Sequence, residues 1–217
     1  MSDNLRFAIY LAISLVPSLV LHEYAHAVAA DRLGDPTPRR WGRLTLNPRP
    51  LVDPFGSVIL PGLALILVAS GNGLGLLPVF AYAKPLPLDP SYLSNQRRDP
   101  LIVVLAGPVM NLVLGAVAGI LLRLGIRGDV GLFALAFITV NVFMFVLQLM
   151  PIPGLDGSKL LARVLPPHAR AVYVNLDQYL VLFMLVVFFI LAGPLLGIVR
   201  ALADAIFRLL VGSSLGF

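Results

Sequence analysis

Four long apolar runs, near residues 5–30, 101–124, 131–150 and 174–193, limit what this chain can fold into. A helix needs about 20 apolar residues to cross the roughly 30 Å hydrocarbon core of a bilayer, and each run is long enough. Only 12% of the residues are charged, against about 25% in soluble domains, so the chain could not cover a water-exposed surface. The runs therefore predict a protein that is built inside a membrane.

A fifth run, 195–212, is interrupted by charged residues. Arg200, Asp204 and Arg208 are four positions apart, so they share one face of a helix. Such a segment either spans the membrane with a protected polar face or lies in the interface as an amphipathic helix. We therefore predict five to six transmembrane helices in a single membrane-embedded domain over residues 1–217.

The region between the first two long runs has a different pattern. Residues 54–70 are apolar but contain Pro61, and the Gly- and Pro-rich stretch that follows favours an extended chain. Residues 42–47, GRLTLN, alternate in polarity and predict a short strand or hairpin. The expected fold is therefore an all-α polytopic membrane protein with a re-entrant or extended, β-like segment before the run that carries GPVMN.

The sequence HEYAH places His22, Glu23 and His26 in the first apolar run. Glu23 is the only glutamate in the chain, and chance would put histidines at both of these positions roughly once in ten thousand such sequences. On a helix the two histidines face the same way and can bind one metal ion, with Glu23 placed to take a proton from water. Ionisable groups at membrane depth are costly, so a metal site is favoured over packed polar residues.

A catalytic zinc commonly has three protein ligands, and without cysteine the third must be His, Asp or Glu. Asp156 in MPIPGLDG is the best candidate, because the prolines break the helix after run 131–150 and leave irregular backbone there. The alternative is an interfacial Asp156 in a turn. His168 in LPPHARA is the rival ligand, but it lies in a polar, Arg-flanked connection that favours a solvated side chain.

Three motifs together resemble the signatures of the site-2 protease family of intramembrane zinc metalloproteases. They are HEYAH, AGPVMN (106–111) and NVFMFVLQLMPIPGLDG (141–157). Other stretches, such as GRLTLNP and FAYAKPLPL, resemble its compact prokaryotic branch, which lacks PDZ and CBS domains. The resemblance implies one Zn²⁺ per chain, bound by His22, His26 and Asp156, with Glu23 as the general base.

The resemblance also implies that Asn111 contacts the substrate backbone or the oxyanion, and it suggests the same role for Asn141. From the residues alone, hydrogen bonding between helices is an alternative for both amides. One departure is visible at Leu51, where members of this branch often have histidine. We therefore do not expect a metal ligand at that position.

The metal site constrains how the helices run. His26 and Asp156 lie near the C-terminal ends of runs 5–30 and 131–150, so these two helices must be parallel to share an ion. The run 101–124 must then be antiparallel to both, and GPVMN returns to the metal side. Residues 54–83 are consequently expected to re-enter the membrane, or to cross it and return as an extended segment.

Charge counting then orients the chain in the membrane. The metal side would carry eleven Lys and Arg residues and the opposite side four, which places the metal side in the cytoplasm and the N-terminus outside. The eleven are Arg32, Arg39, Arg40, Arg43, Arg49, Lys84, Arg97, Arg98, Lys159, Arg163 and Arg170, and the four are Arg6, Arg123, Arg127 and Arg200.

The expected function is hydrolysis of a peptide bond in or near a transmembrane helix of a membrane-protein or peptide substrate, in the cell (inner) membrane. The expected partners are this substrate and the lipid bilayer. Nucleic acid is not expected, because the net charge of +5 reflects residues that report topology in a membrane protein. Two alternatives are a membrane metal-ion transporter and a non-catalytic membrane scaffold.

Overall fold

A computed structural model describes residues 3–69, 81–179, 182 and 192–212, and within these ranges the regular structure is helical, without strands. The α-helices are α1 (Asp3–Arg32), α2 (Thr37–Arg40), α3 (Leu60–Ala69), α4 (Asp99–Arg123), α5 (Gly128–Gln148), α6 (Asp156–Val164), α7 (Pro167–Asn175) and α8 (Ala192–Val211). A π-helical turn (Pro54–Ile59) leads into α3, and single 3₁₀ turns occupy Pro90–Tyr92 and Leu176–Tyr179.

Three of the described helices are long and apolar enough to cross a membrane. They contain the segments Leu5–Arg32, Asp99–Arg123 and Gly128–Gln148, which belong to α1, α4 and α5. These helices account for three of the four long runs. The fourth run, near 174–193, lies largely outside the described residues, whereas run 195–212 falls on the amphipathic helix α8.

Contacts at both ends show that α1 and α5 run parallel. At one end Arg6 of α1 forms an ion pair with Asp129 of α5. At the other end His26 of α1 lies 2.9 Å from Asp156, which follows the C-terminus of α5. Helix α4 is antiparallel to both, because Val103 near its N-terminus contacts His26. This is the arrangement that a shared metal site requires.

Small residues let α4 pack closely against its neighbours. A Cβ atom at Gly115 would lie 3.4 Å from the Val142 side chain of α5, and one at Gly119 would lie 3.2 Å from the Leu210 carbonyl of α8. Close approach of this kind is how membrane helices gain packing energy without a hydrophobic driving force. The core between α1, α4 and α5 therefore packs tightly around the buried polar groups described below.

The predicted strand at residues 42–47 is wrong, because the structure has turns and bends there. The Thr45 hydroxyl accepts a hydrogen bond from the Asn47 N–H, and the Asn47 side chain accepts one from the Arg49 N–H. Such local side-chain-to-backbone bonds compete with a strand ladder, and two prolines follow directly. The alternation of polarity in GRLTLN was therefore not a strand signal.

The segment after α3 returns to the bundle as an extended chain from residue 81 to residue 89, and residues 70–80 lie outside the described part. The Tyr82 N–H donates to the Gly56 carbonyl, and the Lys84 N–H donates to the Leu51 carbonyl. Leu51 itself is buried in the apolar core, 1% exposed. This extended segment, residues 81–89, forms one wall of the site.

Candidate metal centre and catalytic cavity

Three possible metal ligands converge where α1, α4 and α6 meet. The Nε2 atoms of His22 and His26 are 3.0 Å apart, and the Asp156 Oδ2 atom lies 3.2 Å from the first and 2.9 Å from the second. All three residues are buried, with 5% exposure or less. Within the described residues, these form a group of three side chains able to hold one ion.

Hydrogen bonds at the far side of each ring fix which nitrogen faces the other ligands. His26 Nδ1 lies 2.6 Å from the Val103 carbonyl, and His22 Nδ1 lies 2.6 Å from the Asn111 Oδ1 atom. Both oxygens can only accept, so each Nδ1 donates its proton. The Nε2 atom of each neutral ring then carries a lone pair that points toward Asp156, which is the arrangement found in metal-binding histidines.

The donor set fits a zinc ion. When both rings are neutral, no proton lies between the two Nε2 lone pairs and the carboxylate oxygen. These three atoms are within 3.2 Å of one another, so they need a cation at their centre. Tetrahedral zinc with ligand bonds of about 2.0–2.1 Å has ligand atoms about 3.3 Å apart, close to the separations seen here. Two imidazoles and one carboxylate are also a common zinc set with one position left open.

Gly107 of α4 allows the two rings to approach that helix. A Cβ atom at Gly107 would lie 2.2 Å from His26 Nε2 and 2.7 Å from His22 Nε2, closer than any real contact. Only glycine leaves room there for the metal-facing nitrogens. The GPVMN motif thus serves the centre in two ways: Gly107 leaves space for the rings, and Asn111 provides an amide.

Asp156 reaches the centre from the first residue of α6, not from irregular backbone as the sequence indicated. The irregular backbone lies just before it, and the next residue, Gly157, packs so closely that a Cβ atom would lie 2.2 Å from the Leu149 carbonyl. Lys159 Nζ donates to Asp156 Oδ1 at 2.9 Å, which leaves Oδ2 for the histidines.

The surroundings keep Asp156 ionised. Burial alone would raise the pKa of Asp156. When the rings are protonated at Nε2, the charge of His26 and hydrogen bonds from both histidines lower it, and the charge of Lys159 lowers it as well. The net result is a pKa well below the ordinary value of an aspartic acid. Asp156 is therefore a carboxylate at neutral pH, which is the form that binds metal.

Glu23 lies beside the ligands in the wall of a cavity of about 150 Å³. The three ligands, Gln148 at the end of α5 and the extended segment 81–89 line the same cavity. Tyr82 is also in this wall, and burial together with the charge of Asp53 raises the pKa of Tyr82 to about 12. The cavity therefore combines a metal-binding group, one carboxylate that is not needed as a ligand, and space for part of a substrate.

The two asparagines form a buried hydrogen-bonded chain behind His22. Asn111 accepts from His22 and donates from Nδ2 to Asn141 Oδ1 at 3.2 Å. Asn141 in turn donates to Ser18 Oγ at 2.9 Å. This geometry favours orientation of His22 as the role of Asn111, and helix-to-helix bonding for Asn141. His168 lies exposed on α7, apart from the three-ligand group.

Sequence reasoning missed several residues of the site. Lys159 could have been found, because a residue three positions after a helical Asp156 lies on the same face. Gly107 and the wall residues of segment 81–89 could not, since their roles depend on which distant helix they meet.

A buried centre of two histidines and one carboxylate, placed between helices of membrane-spanning length, defines a membrane metal-binding protein. A protein of Bacillus subtilis (strain 168) named "Putative zinc metalloprotease YwhC" is 34% identical over 189 residues, covering 82% of this chain and 80% of the relative. One of Mycobacterium tuberculosis (strain ATCC 25618 / H37Rv) named "Putative zinc metalloprotease Rip2" is 35% identical over 194 residues, covering 86% and 70%. The chain belongs to the family of these proteins, the site-2 protease family of zinc metalloproteases.

No family model matches the chain, and no solved structure matches it.

Proposed function

We propose that this chain is an intramembrane metalloendopeptidase that cleaves a peptide bond in or near a transmembrane helix of a membrane-protein substrate. The observation that carries the proposal is the convergence of the His22, His26 and Asp156 ligand atoms beside Glu23 in one cavity. The kinship with proteins named as zinc metalloproteases supports the metal and the reaction class.

The residues divide the work of hydrolysis between them. His22, His26 and Asp156 would hold one Zn²⁺, which when bound polarises a carbonyl and lowers the pKa of water. Glu23 accepts the proton of the attacking water and passes it to the leaving amine as the C–N bond breaks. Asn111 and Val103 hold the two imidazoles in the tautomer that leaves both Nε2 atoms free to bind.

A substrate helix must unwind before its peptide bond can enter the cavity, because its amides are engaged in helical hydrogen bonds. The extended segment 81–89 is the surface that an unwound substrate would meet, since Ala83, Pro85, Leu86 and Leu88 line the cavity. Pro85 and Pro87 lack N–H groups, so Leu86 and Leu88 are the positions that can donate to a substrate strand in this stretch. Residues 42–47 form turns and bends, so they offer no strand edge for such pairing.

The membrane arrangement completes the proposal. The chain is multi-pass in the cell (inner) membrane, with five to six transmembrane helices and the region of residues 54–83 returning to the side it left. The excess of Lys and Arg on the metal side supports a site near the cytoplasm and an N-terminus outside. Labelling of single cysteines introduced at exposed Leu46 and Leu124 with an impermeant reagent tests this, because the two should label from opposite sides.

Glu23→Gln separates metal binding from turnover. The purified full chain should keep about one zinc per chain, and its cleavage of membrane proteins should fall about 100- to 10,000-fold, because the general base is lost. Bound zinc is measured by mass spectrometry, and substrates are found as membrane proteins that accumulate uncleaved in cells carrying the variant. A Glu23→Gln protein that cleaves at the wild-type rate, or a wild-type protein that moves zinc across liposomes without proteolysis, would contradict the proposal.

A further inference from the structure

A second cavity of about 190 Å³, here called the side pocket, adjoins the catalytic cavity. The two cavities have four wall residues in common, namely Leu88, Val103, Val104 and Lys159. The remaining walls of the side pocket are Pro90, Leu93, Pro100 and Arg163. Only these shared wall residues therefore separate a group in the side pocket from the cavity that holds the metal ligands.

Three separate parts of the chain hold the side pocket in shape. Residues 88–93 form one wall, the first turns of α4 form the second and α6 forms the third. Arg163 of α6 donates to the Arg97 carbonyl at 2.8 Å, which ties α6 to the loop before α4. The Ser94 N–H donates to the Leu33 carbonyl at 3.3 Å, which holds the Leu93 side against the end of α1. The side pocket is thus formed before any ligand arrives.

The interior of the side pocket is apolar. Its two cations are engaged elsewhere, because Lys159 donates to Asp156 and Arg163 donates to backbone carbonyls. The other six wall residues are Leu, Val and Pro. A water molecule takes up about 30 Å³, so the volume corresponds to roughly six non-hydrogen atoms, between a leucine and a phenylalanine side chain.

We propose that the side pocket binds a large apolar side chain of the substrate, Leu, Met or Phe, at a position within two residues of the scissile bond, and that Leu93 sets the size limit. The inference rests on the proposed protease function. In an extended chain, successive residues are about 3.4 Å apart and alternate sides, so a side chain must lie within two residues of the bond to reach an adjoining pocket. The substrate class is therefore a membrane segment with a large apolar residue beside a site that can unwind.

Leu93 is the residue to change, because it is 8% exposed and lines the side pocket but not the catalytic cavity. Leu93→Trp should fill the pocket and Leu93→Ala should enlarge it. The probe is a peptide library from a digested bacterial proteome in mild detergent, with cleavage sites mapped by mass spectrometry using the zinc-loaded full chain.

The wild-type protein should prefer Leu, Met or Phe over Ala at one subsite, by about 10- to 100-fold in kcat/KM. Leu93→Trp should move that preference toward Ala and Gly, and Leu93→Ala should move it toward Trp and Tyr, with other subsites unchanged. Leu124→Trp is the matched control, because Leu124 is 74% exposed at the opposite end of α4, and it should keep the wild-type profile. Active Leu93 variants with an unchanged profile would overturn the proposal.

A binding measurement separates this proposal from the proposed function. Nine-residue peptides of alanine and glycine, with one Ala, Leu or Phe placed at each position in turn, are titrated against the Glu23→Gln protein. Leu should bind about tenfold or more tightly than Ala at one position, and Leu93→Trp should remove the difference. Selective binding without wild-type cleavage would sink the protease function but keep the side pocket, whereas cleavage without selective binding would do the reverse.

Discussion

The two ends of the α1–α4–α5 bundle differ in what they bury. At the metal end, His22, Glu23, His26 and Asp156 are buried in the wall of a cavity of about 150 Å³, and Asn111 is buried behind His22. At the opposite end lies a larger cavity of about 640 Å³, lined mainly by apolar residues and by Arg123 and Arg127. The ion pair at that end, Arg6 with Asp129, has side chains that are 35% and 64% exposed.

The difference shows that buried polar groups, and not cavity size, identify the site. Burying a charge or an amide costs free energy unless a partner compensates for it, so a chain keeps such groups together only where they have a role. At the metal end each buried imidazole has a hydrogen-bond acceptor, and the Asp156 carboxylate has a hydrogen-bond donor. The larger cavity makes no comparable demand on the residues around it.

The same substitution at the two ends of the bundle should have the most different effects. Asp156→Asn removes the charged ligand, so zinc affinity and cleavage should fall by at least about a hundredfold, more than the loss of an outer hydrogen-bond partner usually costs. Asp129→Asn should leave zinc content and cleavage unchanged, because an exposed ion pair contributes little. Zinc per chain after dialysis and cleavage of an identified substrate measure both. Equal losses in the two variants would show that Asp156 serves only the fold.

A paired glycine substitution tests how closely α4 must approach the rings. Gly107→Ala places a Cβ atom 2.2 Å from His26 Nε2, so zinc affinity should fall about 10- to 100-fold as the ring is displaced. Overpacking should also destabilise the fold by about 1–3 kcal/mol. Gly115→Ala, on the same helix, meets its nearest side-chain atom at 3.4 Å and should change both quantities much less. Zinc titration and thermal unfolding in detergent report the result, and wild-type affinity in Gly107→Ala would refute the close approach.

Much of this centre could be predicted because its signals are local. The spacing of His22 and His26 places both on one helix face, and three of the long apolar runs correspond to helices of spanning length. An ion shared with Asp156 would require α1 and α5 to be parallel, and the contacts at both ends show that they are. These features depend on periodicity and length, which a single sequence records.

Other features depend on contacts between distant residues, which a single sequence does not record. The alternation in residues 42–47 is compatible with both a strand and a set of turns, and the side-chain bonds of Thr45 and Asn47 favour the turns. Asn111 could have faced the substrate, and its bond to His22 is visible only once α1 and α4 are placed together. The resemblance implied that Asn111 contacts the substrate backbone or the oxyanion, whereas its bond to His22 favours an orienting role.

The smallest expected effect concerns the lysine that neutralises the metal end. Lys159 donates to Asp156 at 2.9 Å, but its side chain is 44% exposed, so water screens its charge. Lys159→Met should weaken zinc binding by less than about tenfold at pH 7. Because Lys159 helps to lower the pKa of Asp156, its loss raises that pKa, and zinc should be released at a higher pH as acid is added.

A zinc titration at several pH values measures this shift, and Lys84→Met is the matched control, since Lys84 is the only other lysine in the chain. Because the pKa of Asp156 is lowered in the folded protein, its ionisation contributes fully to the free energy of unfolding above the pKa of an unfolded aspartic acid. This contribution is lost as the pH falls through the pKa of Asp156 in the folded protein. If the pH at which zinc is released shifts for Lys159→Met but not for Lys84→Met, Lys159 acts through Asp156. If both variants release zinc at the same pH, the two histidines and the metal alone keep this carboxylate ionised.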